Sequence, residues 1–155
     1  MIKKAGPGIP YPPPLVLVLP FAAAVALDFY WPLAEGQASG IILLLAWLLL
    51  AGGAPLAFWG LLLFHRKKTA IFPNRAASTL VVEGPYRLSR NPMYLGLVLA
   101  YLGLALLLLN LWALLLLPPA LWWFNKKIIA KEERYLKAKF GKAYEKYCKK
   151  VGRWL

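Results

Sequence analysis

The chain has 155 residues, of which 61% are hydrophobic and only 16% charged, with a formal net charge of +13 and a mean hydropathy of +0.57. Ordinary soluble domains are roughly 45–50% apolar and about 25% charged, so the composition excludes a disordered chain and implies that much of the folded surface faces lipid. Cys148 and His65 are its single cysteine and histidine, which leaves no intrachain disulfide, no cysteine-based zinc cage and no multi-histidine metal site.

A hydrocarbon core about 30 Å thick needs about 20 helical residues, within a range of about 17–25. In chain order, a proline-rich entry (Pro7, Pro10, Pro12, Pro13, Pro14) cannot be helical, and an apolar segment follows at 15–31. The entry separates Lys3 and Lys4 from that segment, which favours a membrane span over a signal peptide. A second span is predicted at 41–64, where Gly52, Gly53 and Pro55 read as a kink or a close helix contact. No GxxxG-type packing pattern stands out. The third span is predicted at 93–109, a tight turn at Asn110 follows, and the fourth runs over 111–125, bent by Pro118 and Pro119.

Charge placement agrees with four spans. Of the 19 basic residues, Lys3 and Lys4 precede the first span, six from Arg66 to Arg90 lie between spans two and three, and eleven from Lys126 to Arg153 follow span four. All then fall on one face, the cytoplasmic face, with both termini there. From 126 to 151, apolar residues recur at Ile129, Leu136, Phe140, Tyr144, Tyr147 and Val151 with lysines between them. This predicts a cytoplasmic amphipathic helix with Gly141 as a weak point, its lysines directed to anionic lipid headgroups. The expected fold is all-α: a polytopic membrane helical bundle of about four transmembrane helices plus that C-terminal amphipathic helix, as a single integral membrane domain, 1–155. The aromatic residues of the last helix share its packing face and do not interleave with lysines as nucleic-acid stacking platforms would. Nucleic acid is therefore not an expected partner.

Two stretches carry polar residues in a pattern. Gly84-Pro85 marks a turn, and Asn91-Pro92 reads as a helix start with Asn91 as N-cap. Span three would then open with free N–H groups beside Arg87 and Arg90, an arrangement suited to a carboxylate or phosphate. The second stretch is Lys131-Glu132-Glu133-Arg134-Tyr135-Leu136. Adjacent helical residues point about 100° apart, so one glutamate is expected to face inward and the other to pair with lysines.

The run of motifs resembles the isoprenylcysteine carboxyl methyltransferase and phospholipid methyltransferase superfamily of integral membrane enzymes. The residues concerned are Gly84 and Tyr86, then Arg90-Asn91-Pro92-Met93-Tyr94-Leu95-Gly96 and Glu132-Glu133-Arg134-Tyr135-Leu136. Phe140-Gly141-Lys142-Ala143-Tyr144-Glu145-Lys146-Tyr147 and Val151-Gly152-Arg153-Trp154 complete the pattern, with Thr69-Ala-Ile-Phe-Pro73 upstream. The likeness covers about Thr69 to Leu155. It implies S-adenosylmethionine as cofactor, in a cytoplasm-facing pocket between the last two spans and the C-terminal helix. Carried over by position, the cofactor contacts are Leu80, Val81, Gly84, Tyr86, Arg90, Asn91, Pro92, Met93, Tyr94, Glu132 and Glu133. Glu132 would accept from the cofactor's amine or ribose hydroxyls, and the tyrosines offer faces to adenine or sulfonium. Methyl transfer to an acceptor held close gains chiefly from proximity and orientation, so no catalytic base is named. The acceptor would be small and lipophilic: an isoprenylcysteine-type carboxylate, a lipid amine or similar.

Two positions depart from the pattern. Asn91 stands where many members have His. Isoprenylcysteine enzymes carry a substrate-carboxylate arginine about one turn before the paired glutamates, where this chain has Ile128 with Lys127 adjacent; Lys127 is the substrate-binding candidate. The alternatives are an NADPH-dependent sterol-type membrane reductase and a non-catalytic scaffold. Such reductases typically show Arg-Asp before the last helix and a Lys-Tyr-Gly-x-x-Trp ending, where this chain has Glu-Glu and Phe-Gly-x-x-Tyr.

Overall fold

A computed structural model describes residues 6–69 and 76–155, so Lys3, Lys4, Arg75 and most of the Thr69–Pro73 run lie outside the described residues. The described residues form helices without a strand: α1 (Leu15–Tyr30), α2 (Gly40–Arg66), a 3-10 turn at Gly84–Arg87, α3 (Pro92–Leu107) and α4 (Leu111–Phe124). A π-helical turn at Asn125–Ile129 then leads into α5 (Ala130–Phe140), and α6 (Lys142–Cys148) follows. The four predicted apolar segments are thus helices, with ends moved by a residue or two. Of these, α2, at 27 residues, is by itself long and apolar enough to cross a membrane; α1 and α3 are shorter apolar helices.

The helix limits follow from local chemistry. Pro12 to Pro14 make the turn on which α1 starts, their carbonyls accepting from Leu15, Val16 and Leu17. Ser39 caps α2 by accepting from the Ile42 N–H. Asn110 caps α4 through the Ala113 N–H (2.8 Å), and its amide donates to the Ala24 carbonyl of α1 (3.2 Å). One buried side chain therefore closes a helix start and ties it to a neighbour.

The α2–α3 seam is built from small residues and runs antiparallel. A Cβ on Gly53 would sit 2.6 Å from the Gly96 carbonyl oxygen, and one on Gly96 would sit 2.5 Å from the Gly53 oxygen. Gly103 lies equally close to the Ala46 carbonyl, and Gly60 to the Met93 side chain. Ala46, Gly53 and Gly60 are spaced by seven, as are Gly96 and Gly103, and the four-residue steps within the seam, Gly53 to Ala57 and Gly96 to Ala100, pair glycine with alanine, so a search for glycine at both positions passes over them. Gly53 is a close contact and Gly52 faces open space. Such stripes let backbones approach where water supplies no driving force between helices.

Outward faces are apolar. Trp47, Leu48, Phe58 and Trp59 of α2, Phe29 of α1 and Trp122 of α4 are all more than half exposed, a surface that suits lipid.

The expected single helix over 126–151 is corrected. A π turn precedes it, and Gly141 (φ +51°, ψ −126°) breaks it, a backbone region open essentially to glycine. The chain turns there, so that Tyr144 and Tyr147 are buried with Tyr86, Val81 and Val151. The apolar stripe read from the sequence is still the packed face.

Gly96→Ala is expected to lower the melting temperature by several degrees, since overpacking of this kind costs about 1–3 kcal/mol. Gly52→Ala should leave it unchanged or slightly higher. Thermal unfolding in detergent checks both, and an unshifted Gly96→Ala transition would contradict the seam.

Candidate functional site

The site assembles at the α3 start and the α4–α5 junction. Gly84 (φ +55°) starts the 3-10 turn against Leu63 and Trp59 of α2, which lie too close for a Cβ. The turn buries Tyr86, whose ring stacks on Phe64 (centroids 5.4 Å, planes 6° apart). The Tyr86 carbonyl accepts from the Tyr147 hydroxyl at 2.6 Å. Upstream, the Ala77 N–H donates to the Tyr135 hydroxyl (3.0 Å) and the Ser78 N–H to Thr69 Oγ1 (3.2 Å), which lays this stretch along α5.

The paired glutamates diverge. Glu132 turns inward and accepts from the Tyr94 hydroxyl at 2.7 Å, while Tyr94 packs edge-on against Phe124 (4.8 Å). Glu133 binds arginines, not the lysines expected from the sequence. Arg153 grips it with two bonds (Nε to Oε1 3.0 Å, Nη2 to Oε2 2.6 Å) and Arg90 Nη1 lies 3.1 Å from Oε1. Arg90 Nη1 also donates to Cys148 Sγ, and Arg90 Nε is buried without a partner among the described residues. A π-helical turn inserts a residue relative to α-helical register, and the one at Asn125–Ile129 lies just before the two glutamates and shifts their register relative to α4.

The expected cap at Asn91 is a correction. No side-chain bond caps α3; the Asn91 amide donates to the Arg153 carbonyl at 2.9 Å instead, and the Arg90 N–H donates to the Gly152 carbonyl. The α3 start is thus bound by the segment after α6, and no longer reads as a bare anion site.

These elements line a cleft that opens to solvent at its mouth. Of the residues predicted from the sequence, Leu80, Val81, Tyr86, Arg90, Asn91, Met93, Tyr94, Glu132 and Glu133 line it. Gly84 and Pro92 shape the backbone behind it. Lys127 is exposed and outside the lining, while its neighbour Ile128 is fully buried against Phe124 and Tyr94. Sequence reasoning missed Pro7, Phe64, Thr69, Ala77 and Tyr135 as lining residues. Tyr144 and Tyr147 were legible as the packing stripe and as members of the motif pattern, not as lining residues.

Burial lifts the Glu132 carboxyl to about 7; the bond from Tyr94 opposes this and the adjacent Glu133 adds to it. The Tyr86 phenol is raised chiefly by burial, then by Tyr147 and Glu132. Burial likewise leads the rise at Tyr144 and Tyr147, so these hydroxyls stay neutral donors. One strongly perturbed carboxylate among aromatic rings makes this cleft the candidate small-molecule site.

The chain belongs to the phospholipid methyltransferase family, which matches residues 41–143. It is similar to the protein-S-isoprenylcysteine O-methyltransferase of Schizosaccharomyces pombe, 43% identical over 72 residues, 46% of this chain and 30% of that protein. A probable protein-S-isoprenylcysteine O-methyltransferase of Oryza sativa subsp. indica is 38% identical over 72 residues, 46% of this chain and 38% of that protein. An uncharacterized protein of Haemophilus influenzae is 44% identical over 63 residues, 41% of this chain and all of that protein. The chain thus matches about a third of the length of the two named enzymes. No solved structure matches it.

Glu132 also sets a stability prediction. Its folded value of about 7 exceeds its ordinary 4.5, so between these values the folded state holds more protons than the unfolded one. The stabilising contribution is complete below about pH 4.5 and is lost as pH rises through about 7, with a size on the order of 3 kcal/mol. Glu132→Gln keeps an acceptor for Tyr94 and removes the titration. Ligand-free melting curves from pH 5 to 8 should fall for wild type relative to Glu132→Gln; parallel curves would contradict the raised carboxyl.

Proposed function

We propose that the chain is an S-adenosylmethionine-dependent methyltransferase acting on a small lipophilic acceptor at a cytoplasmic membrane face. The observation that carries this is the half-buried Glu132 carboxyl, bonded to Tyr94 in an aromatic-lined cleft, in a chain of the phospholipid methyltransferase family. The cleft's donor set suits the cofactor. Glu132, once ionised, accepts from its ammonium; Arg90, whose buried Nε has no partner among the described residues, suits its carboxylate. The rings of Tyr86, Tyr144 and Tyr147 offer faces for its base or cationic sulfur. When bound, the cofactor supplies a methyl group on a sulfonium, already activated for transfer.

The residues here bind and orient; none is assigned as a catalytic base. Phe64, Leu80, Val81 and Leu136 form the apolar wall against which a lipophilic acceptor would lie. Among the described residues, Arg90 is the one cation lining the cleft, and in this reading the cofactor's own carboxylate takes it. This favours a lipid amine over an acceptor that brings its own carboxylate.

In the membrane, α1 to α4 are four spans, with α4 extended through the π turn. The basic residues then lie on the cytoplasmic side, together with both ends of this chain and the cleft. Exposed Lys126, Lys137, Lys142, Lys146, Lys149 and Lys150 face anionic headgroups.

Calorimetric titration of detergent-solubilised protein with S-adenosylhomocysteine tests the cofactor, with NADPH as control ligand. Saturable binding of the homocysteine product is expected, weakened about tenfold (~1.4 kcal/mol) by Glu132→Ala. Wild-type affinity should rise as pH passes through about 7, where Glu132 ionises, and Glu132→Gln should flatten that rise. Binding of NADPH alone would move the protein to the reductase class, and silence with both to a non-catalytic scaffold.

A further inference from the structure

The Val151–Trp154 motif has no role in the cofactor contacts above, yet it bonds to Glu133, Arg90 and Asn91 of the cleft lining. The Arg153 guanidinium grips Glu133 through two bonds at 3.0 and 2.6 Å. Its carbonyl accepts from the Asn91 amide at 2.9 Å and from Ser89 Oγ at 3.4 Å. The preceding Gly152 carbonyl accepts from the Arg90 N–H at 3.0 Å, and the Trp154 indole donates to Asn125 in the π turn at 3.2 Å. Three residues thus tie together the entry to α3, the first turn of α5 and the junction between α4 and α5.

The ion pair differs in kind from the others. Lys67–Glu83 and Lys137–Glu145 are single contacts between side chains 41–65% exposed, the sort that contributes little. The Glu133 carboxyl is only 18% exposed and is shared with Arg90, itself 16% exposed and in the cleft wall. Bidentate arginine–carboxylate pairs fix geometry as well as charge. Since Glu132 and Glu133 project about 100° apart on one helix, holding Glu133 on the Arg153 side fixes the rotation that aims Glu132 at Tyr94.

We propose that Arg153 is a positioning residue of this site: its side chain holds Glu133, its backbone holds the entry to α3, and together they keep Glu132 directed into the cleft. Its link to catalysis rests on the cofactor assignment proposed above. The charges involved can be enumerated. Among the described residues, Glu132 is faced by Tyr94 from α3, Tyr86 from the 3-10 turn and Glu133 on its own helix. Tyr144 and Tyr147 of α6 stand behind Tyr86, and Arg90 and Arg153 act through Glu133. Removing the Arg153 charge leaves Glu133 less neutralised and makes ionisation of Glu132 harder.

The test titrates the full chain with S-adenosylhomocysteine across pH 5.5–8.5, comparing wild type, Arg153→Gln, Arg153→Lys and the remote control Lys137→Gln. Arg153→Gln is expected to weaken binding about tenfold and to move the pH midpoint of binding upward. Arg153→Lys should restore the midpoint while recovering affinity only in part, because the charge returns without the fork. Lys137→Gln should match wild type. Wild-type affinity and midpoint in Arg153→Gln would overturn the proposal. So would an affinity loss shared equally by both variants with no movement of the midpoint, the mark of packing alone. If Arg153→Gln does not fold, Arg153→Lys decides, since unchanged affinity there overturns the role.

Hydrogen exchange of the ligand-free protein separates this inference from the cofactor assignment. Arg153→Gln, or Arg153→Lys in its place, should speed exchange of amides at 90–96 and 131–136 relative to wild type and Lys137→Gln; unchanged exchange overturns the positioning role. Wild type that binds no homocysteine product at any pH counts against the cofactor alone, and the exchange result still decides Arg153.

Discussion

Two neighbouring carboxylates at the start of α5 are pulled to opposite partners, and the organisation of the cleft depends on that divergence. Glu133 is held by Arg90 and Arg153, and Glu132 by the Tyr94 hydroxyl. Side by side and unpartnered, the two charges would repel and draw water. Neutralising one with arginines leaves the other as the cleft's poised group, half-buried and able to meet a cation. The π turn at Asn125–Ile129 lies just before them and shifts their register relative to α4. Its two buried isoleucines, packed against Phe124 and Tyr94, keep it in place.

Around that centre the helices act as a frame. The glycine and alanine seam between α2 and α3 brings the two backbones close enough that Gly60 accepts the Met93 side chain at the mouth of α3. Leu63 and Trp59 of α2 buttress the Gly84 turn, and Phe64 stacks on Tyr86. The cleft therefore stands beside the closest backbone contacts of the α2–α3 seam, while outward faces of α1, α2 and α4 carry the exposed aromatic and aliphatic side chains.

Much of the frame was legible in the sequence because hydropathy and proline speak directly about helices. The apolar segments, the start after Pro14, the turn at Asn110 and the break at Gly141 all follow from residue chemistry. The order of polar motifs pointed to nine of the lining residues. What stayed hidden depends on competition between distant segments. Asn91 has the sequence of a helix cap, but the carbonyl of Arg153, 62 positions away, takes its amide. Lysines outnumber arginines in the segment after α4, yet Glu133 pairs with two arginines, Arg153 of that segment and Arg90 before α3, whose planar guanidinium groups match a carboxylate. The α2–α3 stripe does not show as a glycine pair at four-residue spacing because its four-residue steps pair glycine with alanine, Gly53 with Ala57 and Gly96 with Ala100. A π turn has no composition signal, and Phe64, Thr69 and Tyr135 reach the cleft only because helices separated in sequence converge.

The most direct test is to irradiate the detergent-solubilised protein with S-adenosyl[methyl-3H]methionine and map the labelled peptides. Label confined to the 77–94 and 131–147 segments, and displaced by excess S-adenosylhomocysteine, is the predicted result. Displaceable label confined to α1 or the distal half of α2, or no displaceable label on folded protein, would contradict the assignment of this cleft.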